Sequence, residues 1–443
     1  MHGTHELAPA TGEERVFAVD ELTRVEGEGS LKIRIRDGEV LEARLKIFEA
    51  PRFFERLVVG RTPDEVIDIV ARICGICPIA YQLTAVHAFE SLFEVTVDPQ
   101  VRALRRLLYC GEWIESHALH VYLLHAPDFL GLPSAIELAK LDRGIVERGL
   151  RLKRIGNDIL KIVGGRPIHP VSLRVGGLWR TPKRVELAGL RADLDEAVEL
   201  AQATVRLVAG FEPPAFAARR LLVSLRHPTD YPMNEGRIVS TDGLDLAATD
   251  WEQFFHEEQV EGTSALQART ESGEAYLLGP TARIALAGDT LHPLARAALD
   301  ETGQEAELAT NVFRSILARA VELVHATAEA RDLLDAYERP TRPSVAWQPK
   351  AGVAAWATEA PRGLLFHRYD VDEAGIIRTA KIVPPTSQNQ AAIEADLARF
   401  APTVMDLPHA EATRRFEQLI RSYDPCISCA AHFLELDVDG VTT

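Results

Sequence analysis

Four of the five cysteines stand in two Cys-x-x-Cys pairs, Cys74 and Cys77 within Arg72-Ile-Cys-Gly-Ile-Cys77 and Cys426 and Cys429 within Asp424-Pro-Cys-Ile-Ser-Cys429. His432 follows the second pair at the same three-residue step. Thiolates bind soft or borderline metals, and four sulfurs are enough to enclose one metal centre. A structural zinc site is the plainest use of two such pairs, and a redox dithiol is the plainest use of one. Zinc ribbons, however, close loops of about 15 to 20 residues, whereas these pairs lie near opposite ends of the chain. A small zinc module also substitutes for a core that this chain has ample apolar sequence to build. Cys110 falls in an apolar helical stretch and reads as a buried thiol.

The 443 residues are 47% hydrophobic, which suits one large subunit or two intimate subdomains. A formal net charge of −16 argues against nucleic acid or an anionic membrane as the main partner. No run of about 18 uncharged apolar residues occurs and the first residues lack an apolar signal core, so we expect no membrane insertion and a cytoplasmic location. No Gly-x-Gly-x-x-Gly follows a strand, and no further cysteine cluster is present for iron-sulfur ligation. Electrons handled at the thiols would have to leave through a partner.

The elements that must carry these residues are mostly helices. Residues 1–15 read as disordered. Leu31, Ile33 and Ile35 then alternate with Lys32, Arg34 and Arg36, and Leu41, Ala43, Leu45 and Ile47 follow an Asp37-Gly38 turn, which predicts a half-buried hairpin. Thr62-Pro-Asp-Glu65 is a capping box that starts a helix running to about Ala71 and delivers the first thiol pair at its end. Further helices are expected from Ile79 to Glu94, from Asp98-Pro99 toward His125, through Pro133 to Val163, and from Thr181-Pro182 to Val208. His117, His120 and His125 share one face, where core or capping roles are commoner than ligation. Residues 211–290 read as a small β patch, Leu291 to Tyr337 as helix, and Pro361 to Thr386 as a hairpin turning near Asp372 to Gly375. Ala391 to Phe400 and His409 to Tyr423 complete a mainly α fold, a large helical body with small β-hairpin patches near the N-terminus and in the C-terminal half.

Arg72-x-Cys74-Gly-x-Cys77 and Asp424-Pro-Cys426-x-x-Cys429-x-x-His432 together resemble the large subunits of nickel-iron hydrogenases. So do Arg24-Val-Glu26-Gly27, Ala360-Pro361-Arg362-Gly363 and Val383-Pro384, in the same order. The resemblance implies a single hydrogenase large-subunit domain over residues 16–432 that splits dihydrogen heterolytically. It implies nickel on Cys74, Cys77, Cys426 and Cys429, with Cys77 and Cys429 bridging to an iron that carries two cyanides and one carbon monoxide. Glu26 would relay protons from Cys426. Arg362 would hang over the metals with Asp424 as its carboxylate, and the base would be either the Cys426 thiolate or the Arg362 guanidine. Pro361, Pro384 and Thr386 would meet the diatomic ligands. Glu55, His432 and a carbonyl near Lys381 would hold magnesium.

The same resemblance implies an iron-sulfur small subunit docked on the cysteine face and a diaphorase module that binds flavin and NAD or NADP. It also implies that residues 433–443 are a C-terminal extension, cut after His432 by a maturation endopeptidase. Left in place, the extension is expected to hold Cys426 to His432 away from Cys74 and Cys77, or to bury carboxylates against the site. Four positions depart from the family pattern: Glu28 and Tyr81 stand where His is common, Ser116 where Asp is common, and Pro385 intervenes before Thr386. Tyr81 and Ser116, with no sign of export, look most like the cytoplasmic bidirectional branch that couples hydrogen to NAD or NADP.

Overall fold

A computed structural model describes residues 14–49 and 53–432, together with two short strands at 437–438 and 441–442. The expectation of disorder for residues 1–13 lies outside the described residues, but Glu14 and Arg15 are ordered. They open β1 (Glu14–Val19), which pairs antiparallel with β2 (Gly29–Arg36), and β2 in turn pairs with β3 (Glu39–Ile47). The expected hairpin is therefore the outer part of a three-stranded sheet. A register shift at Arg34/Ile35 turns the start of β3 over, so Leu41 is 45% exposed while Leu45 and Ile47 are buried.

A short helix α1 (Phe54–Leu57) precedes α2 (Pro63–Val70), where Glu65 reaches back to the Thr62 N–H at 2.9 Å as the capping box requires. The chain then enters α3 (Pro78–Phe93) and α4 (Pro99–Ala118). Helical structure continues beyond α4 through a π-helical stretch, Leu119–His125, to Phe129. Helices α5 (Ala135–Leu141), α6 (Arg143–Gly164) and α7 (Arg184–Ala209) follow, with Asp142 breaking the first from the second and capping the Gly144 and Ile145 N–H groups. These helices pack with α10 (Ser315–Asp335), introduced by α8 (Pro280–Ala287) and α9 (Pro293–Thr302), around one large apolar core.

Of the β patch expected between 211 and 290, residues 221–277 carry a four-stranded sheet with a separate hairpin beside it, and the last stretch is instead helix α8. In the C-terminal half β4 (Gly352–Ala360), β5 (Gly363–Val371) and β6 (Ile377–Val383) form an antiparallel sheet. Ala360 faces Gly363 in the register, so Pro361-Arg362 is itself a two-residue turn rather than the opening of a strand. Helix α11 (Pro385–Val404) begins six residues before the expected Ala391, directly after Pro384, and Thr386 therefore lies in its first turn. Helix α12 (His409–Tyr423) ends at Asp424, a left-handed residue with φ +54°, and α13 (Ile427–Ala430) closes the second cysteine pair.

Candidate metal centre

The turn after α2 and the start of α3 carry Cys74 and Cys77; the break between α12 and α13 carries Cys426, and α13 carries Cys429. All four are buried, and their sulfurs lie within 4.8 Å of one another. Cys74 Sγ and Cys426 Sγ are 3.6 Å apart. Such a set cannot ionise freely without a cation. Although burial opposes ionisation of Cys74, hydrogen bonds from Cys426, Cys429 and Cys77 and the charge of Arg362 hold its thiol well below the usual range. Burial and the neighbouring sulfurs push Cys426 well above it. Four soft donors converging on one point fit a thiophilic metal.

Glu26 joins this cluster from the N-terminal end of the chain. Its carbonyl accepts the Ile427 N–H at 2.9 Å, and its Oε2 accepts from Cys426 Sγ at 3.1 Å and from the Ser428 N–H at 3.1 Å. Gly27 makes this approach possible, since a Cβ there would lie 2.7 Å from Ser428 N at a φ of +86°. Beyond Glu26, Ser428 Oγ donates to Glu49 Oε1 at 2.8 Å.

Arg362 reaches the same space from the β4–β5 turn. Its Nε donates to the Asp424 carbonyl at 2.7 Å and its Nη2 to Asp424 Oδ1 at 3.1 Å. Burial opposes the charge on Arg362, yet Asp424 and the thiolates of Cys426, Cys77 and Cys74 outweigh it and hold the guanidinium pKa well above its ordinary value. The turn is fixed from behind. Buried Arg283 donates to the carbonyls of Ala360 at 3.1 Å and Pro361 at 2.9 Å while pairing with Glu322 and Glu359. Gly279 stands where a Cβ would meet the Arg362 carbonyl at 2.9 Å.

The nickel-dependent hydrogenase family signature matches residues 52–143 and 249–432. The chain belongs to that family, as a large subunit. It is 33% identical to sulfhydrogenase 2 subunit alpha of Pyrococcus furiosus over 95% of this chain and 100% of that protein. It is 28% identical to the NAD-reducing hydrogenase HoxS subunit beta of Cupriavidus necator over 95% of each. Among solved structures, a NAD+-reducing [NiFe]-hydrogenase in the H2-reduced state superposes with a TM-score of 0.86 at 26% identity, covering 94% of this chain and 99% of that one.

In this hydrogenase the residues singled out for a hard cation also meet. His432 Nε2 is 3.0 Å from Glu55 Oε2, and Glu55 Oε1 accepts the Ile382 N–H at 2.7 Å. The Lys381 side chain turns to Glu252 and Glu257, at 3.3 and 3.8 Å, so only its backbone is left for the role expected of it. Sequence reasoning missed Glu257. Burial pushes its carboxyl up to about 7 against the pull of Lys381 and His432, and the run His256-Glu-Glu258 on a polar strand gave no signal that one of its members is enclosed.

Thr386 Oγ1 accepts the Cys426 N–H at 3.0 Å, so the hydroxyl expected to meet a diatomic ligand also anchors the second cysteine pair. Pro384 is the N-cap of α11 and Pro361 lies in the arginine turn. His117, His120 and His125 bond to Glu322, the Arg421 carbonyl and Asp128 respectively, and none joins the sulfur cluster. Cys110 is fully buried and apart from the other thiols. Where the family commonly has Asp, Ser116 is buried and its hydroxyl makes no hydrogen bond to a described residue. Arg319, a second residue missed from sequence, instead approaches Asp424 Oδ2 at 3.8 Å, and burial lowers its pKa to about 10.

One expectation about the extension is corrected. The four sulfurs meet in a chain that carries residues 433–443, so Cys426 and Cys429 are not held away from Cys74 and Cys77. Whether the extension's carboxylates press on the site concerns side chains outside the described residues.

Arg362→Lys is expected to keep the fold and the metals but to lower hydrogen turnover on the order of 10- to 100-fold, because an ammonium cannot bond the Asp424 carbonyl and carboxylate as a planar fork. Parental turnover in a hydrogen-uptake assay would make the residue a bystander.

Proposed function

We propose that this protein is the catalytic subunit of a cytoplasmic bidirectional hydrogenase whose electrons pass through an iron-sulfur small subunit and a flavin-containing diaphorase module to NAD or NADP. Nickel would be held by the buried sulfurs of Cys74, Cys77, Cys426 and Cys429, with Cys77 and Cys429 also available to an iron that carries cyanide and carbon monoxide. The observation that carries this reading is the 3.1 Å contact between Cys426 Sγ and Glu26 Oε2 within a buried four-sulfur cluster roofed by Arg362. When bound, the metal pair supplies the electrophile and the redox couple for heterolytic cleavage of dihydrogen.

The chain's own residues handle the proton. Cys426 Sγ is the base, because Arg362 is held in its charged form by Asp424 and the thiolates. Glu26 Oε2 takes the proton from Cys426 and turns it outward. Ser428 and Glu49 extend that line. Arg362 keeps positive charge beside the cluster and Asp424 fixes its plane.

Magnesium at Glu55 and His432, completed by a backbone carbonyl near Lys381 and by water, would tie the last residue of the domain to α1. Support for the small subunit comes from the surface beside the first cysteine pair, where Ile168, Val171 and Trp179 are exposed and a Cβ on Gly75 would touch Ile168 at 3.9 Å. Support for the pyridine nucleotide comes from the NAD-reducing relatives. No helix among the described residues is long and apolar enough to cross a membrane. Residues 433–443 are removed after His432 by an endopeptidase.

One preparation tests the proposal. Purified with its partners and active, the protein should contain nickel together with iron in clear excess, since the partners' iron-sulfur clusters add to the iron of the centre, reduce NAD or NADP with hydrogen, and give an intact mass of this subunit that ends at His432. Zinc alone would overturn the metal assignment, and active enzyme still carrying Thr443 would overturn the processing.

A further inference from the structure

The start of α3 allows its backbone donors to be followed one by one. An α-helix opens with four N–H groups that have no partner within it, and the N-cap side chain ordinarily accepts from the second or third helical residue. Cys77 is the N-cap of α3, and its side chain makes no such bond. Its own N–H goes to Cys74 Sγ at 3.2 Å, and Pro78 has none to give. The remaining two, on Ile79 and Ala80, go to the carboxyl of Glu112, at 2.6 Å to Oε2 and 3.2 Å to Oε1. Glu112 comes from the middle of α4 and is fully buried.

The second pair repeats the arrangement. Cys426 is the N-cap of α13 and its side chain likewise caps nothing, while the Ser428 N–H two residues on goes to Glu26 Oε2. Twice a cysteine of the cluster opens a helical turn, and twice a glutamate from elsewhere in the chain takes the bond its sulfur would otherwise accept. The two sulfurs of the first pair end up unequal. Cys74 Sγ receives the N–H groups of Ile76 and Cys77, at 3.3 and 3.2 Å, and among the described residues no backbone N–H donates to Cys77 Sγ.

We propose that Glu112 is a positioning residue for the metal centre: by accepting the Ile79 and Ala80 N–H groups it keeps them off Cys77 Sγ and preserves that sulfur as the stronger donor of its pair. The proposal rests on the reading of Cys77 as a ligand shared with iron. Hydrogen bonds to a coordinating sulfur draw electron density from the metal and tune it. Glu112 thus makes the shared ligand electron-rich and leaves Cys74 the poorer donor. The role needs only oxygen lone pairs, so it holds in either protonation state of the carboxyl.

Infrared spectroscopy of the nickel-loaded protein tests this, because carbonyl and cyanide stretching bands report electron density at iron. Parental protein without such bands would refute the reading of the centre and not the role of Glu112. With the bands present, Glu112→Leu should move them to higher wavenumber as the released N–H groups turn to Cys77. Glu112→Gln, which keeps an acceptor oxygen, should load nickel and stay near the parental positions. Glu112→Asp withdraws the carboxyl by one methylene, should give an intermediate shift, and carries the test if the leucine variant does not fold. Parental bands in Glu112→Asp, or a shift in Glu112→Gln as large as that in Glu112→Leu, would overturn the proposal.

Discussion

Replacing Cys426 by serine should abolish nickel binding and hydrogen turnover together. Cys426 is 1% exposed, its sulfur lies 3.6 Å from Cys74 Sγ, and its N–H is fixed by Thr386, so no other donor can move into its place. A serine hydroxyl fills the volume but is a hard, neutral ligand at working pH, whereas nickel in this set calls for soft thiolates. The change also removes the group bonded to Glu26. We expect a folded chain with far-ultraviolet circular dichroism like the parent, nickel below one tenth of parental content by elemental analysis, and no measurable uptake. Full nickel with full uptake would end the assignment of Cys426 as a ligand.

Glu26→Gln should divide catalysis where Cys426→Ser ends it. The carboxamide keeps the size of the side chain and can still accept the Ser428 N–H, so the Arg24 to Gly27 loop should remain on α13 and the metals should assemble. It cannot carry a proton. Loss of a general acid-base group costs on the order of 10² to 10⁴ in rate, and we expect that loss in exchange of deuterium gas with water as well as in uptake. Nickel and iron content should stay parental. Exchange at the parental rate would send the proton by another route.

The sequence revealed most where several short-range rules agree. Thr62-Pro-Asp-Glu65 named both the start of α2 and the place of the first thiol pair, since cap, proline and acidic first turn all act within four residues. The cysteine pairs were legible because their spacing is itself the chemistry. Less legible were features that depend on a distant partner. Thr386 was read as the end of a hairpin's returning strand, but Pro385 starts α11 there and turns the hydroxyl to Cys426. Pro361-Arg362 was read as the beginning of a hairpin because β4 before it, Gly352–Ala360, is rich in alanine and lacks clear alternation. Glu112, Arg283 and Arg319 are single charged residues on helices, where a solvated face is the ordinary expectation. Only the packing of α4, α8 and α10 encloses them. Glu112 could have been suspected from its place in a stretch otherwise dominated by apolar residues, Leu107 to Ile114.

The pairing of Glu26 with Cys426 has a consequence for how the protein is made. The two residues are 400 positions apart, and Cys74 and Cys426 are 352 apart. At about 5 to 20 residues per second, a ribosome that has placed Cys74 and Cys77 needs tens of seconds more to deliver their counterparts. During that interval the nascent chain offers Cys74 and Cys77, a Glu26 without its sulfur partner, and a half-built pocket. The centre is therefore the last part of the protein to come into existence, and every chain that stalls or is clipped before Cys426 lacks it entirely. Nickel held by all four sulfurs would therefore mark a chain translated past Cys429.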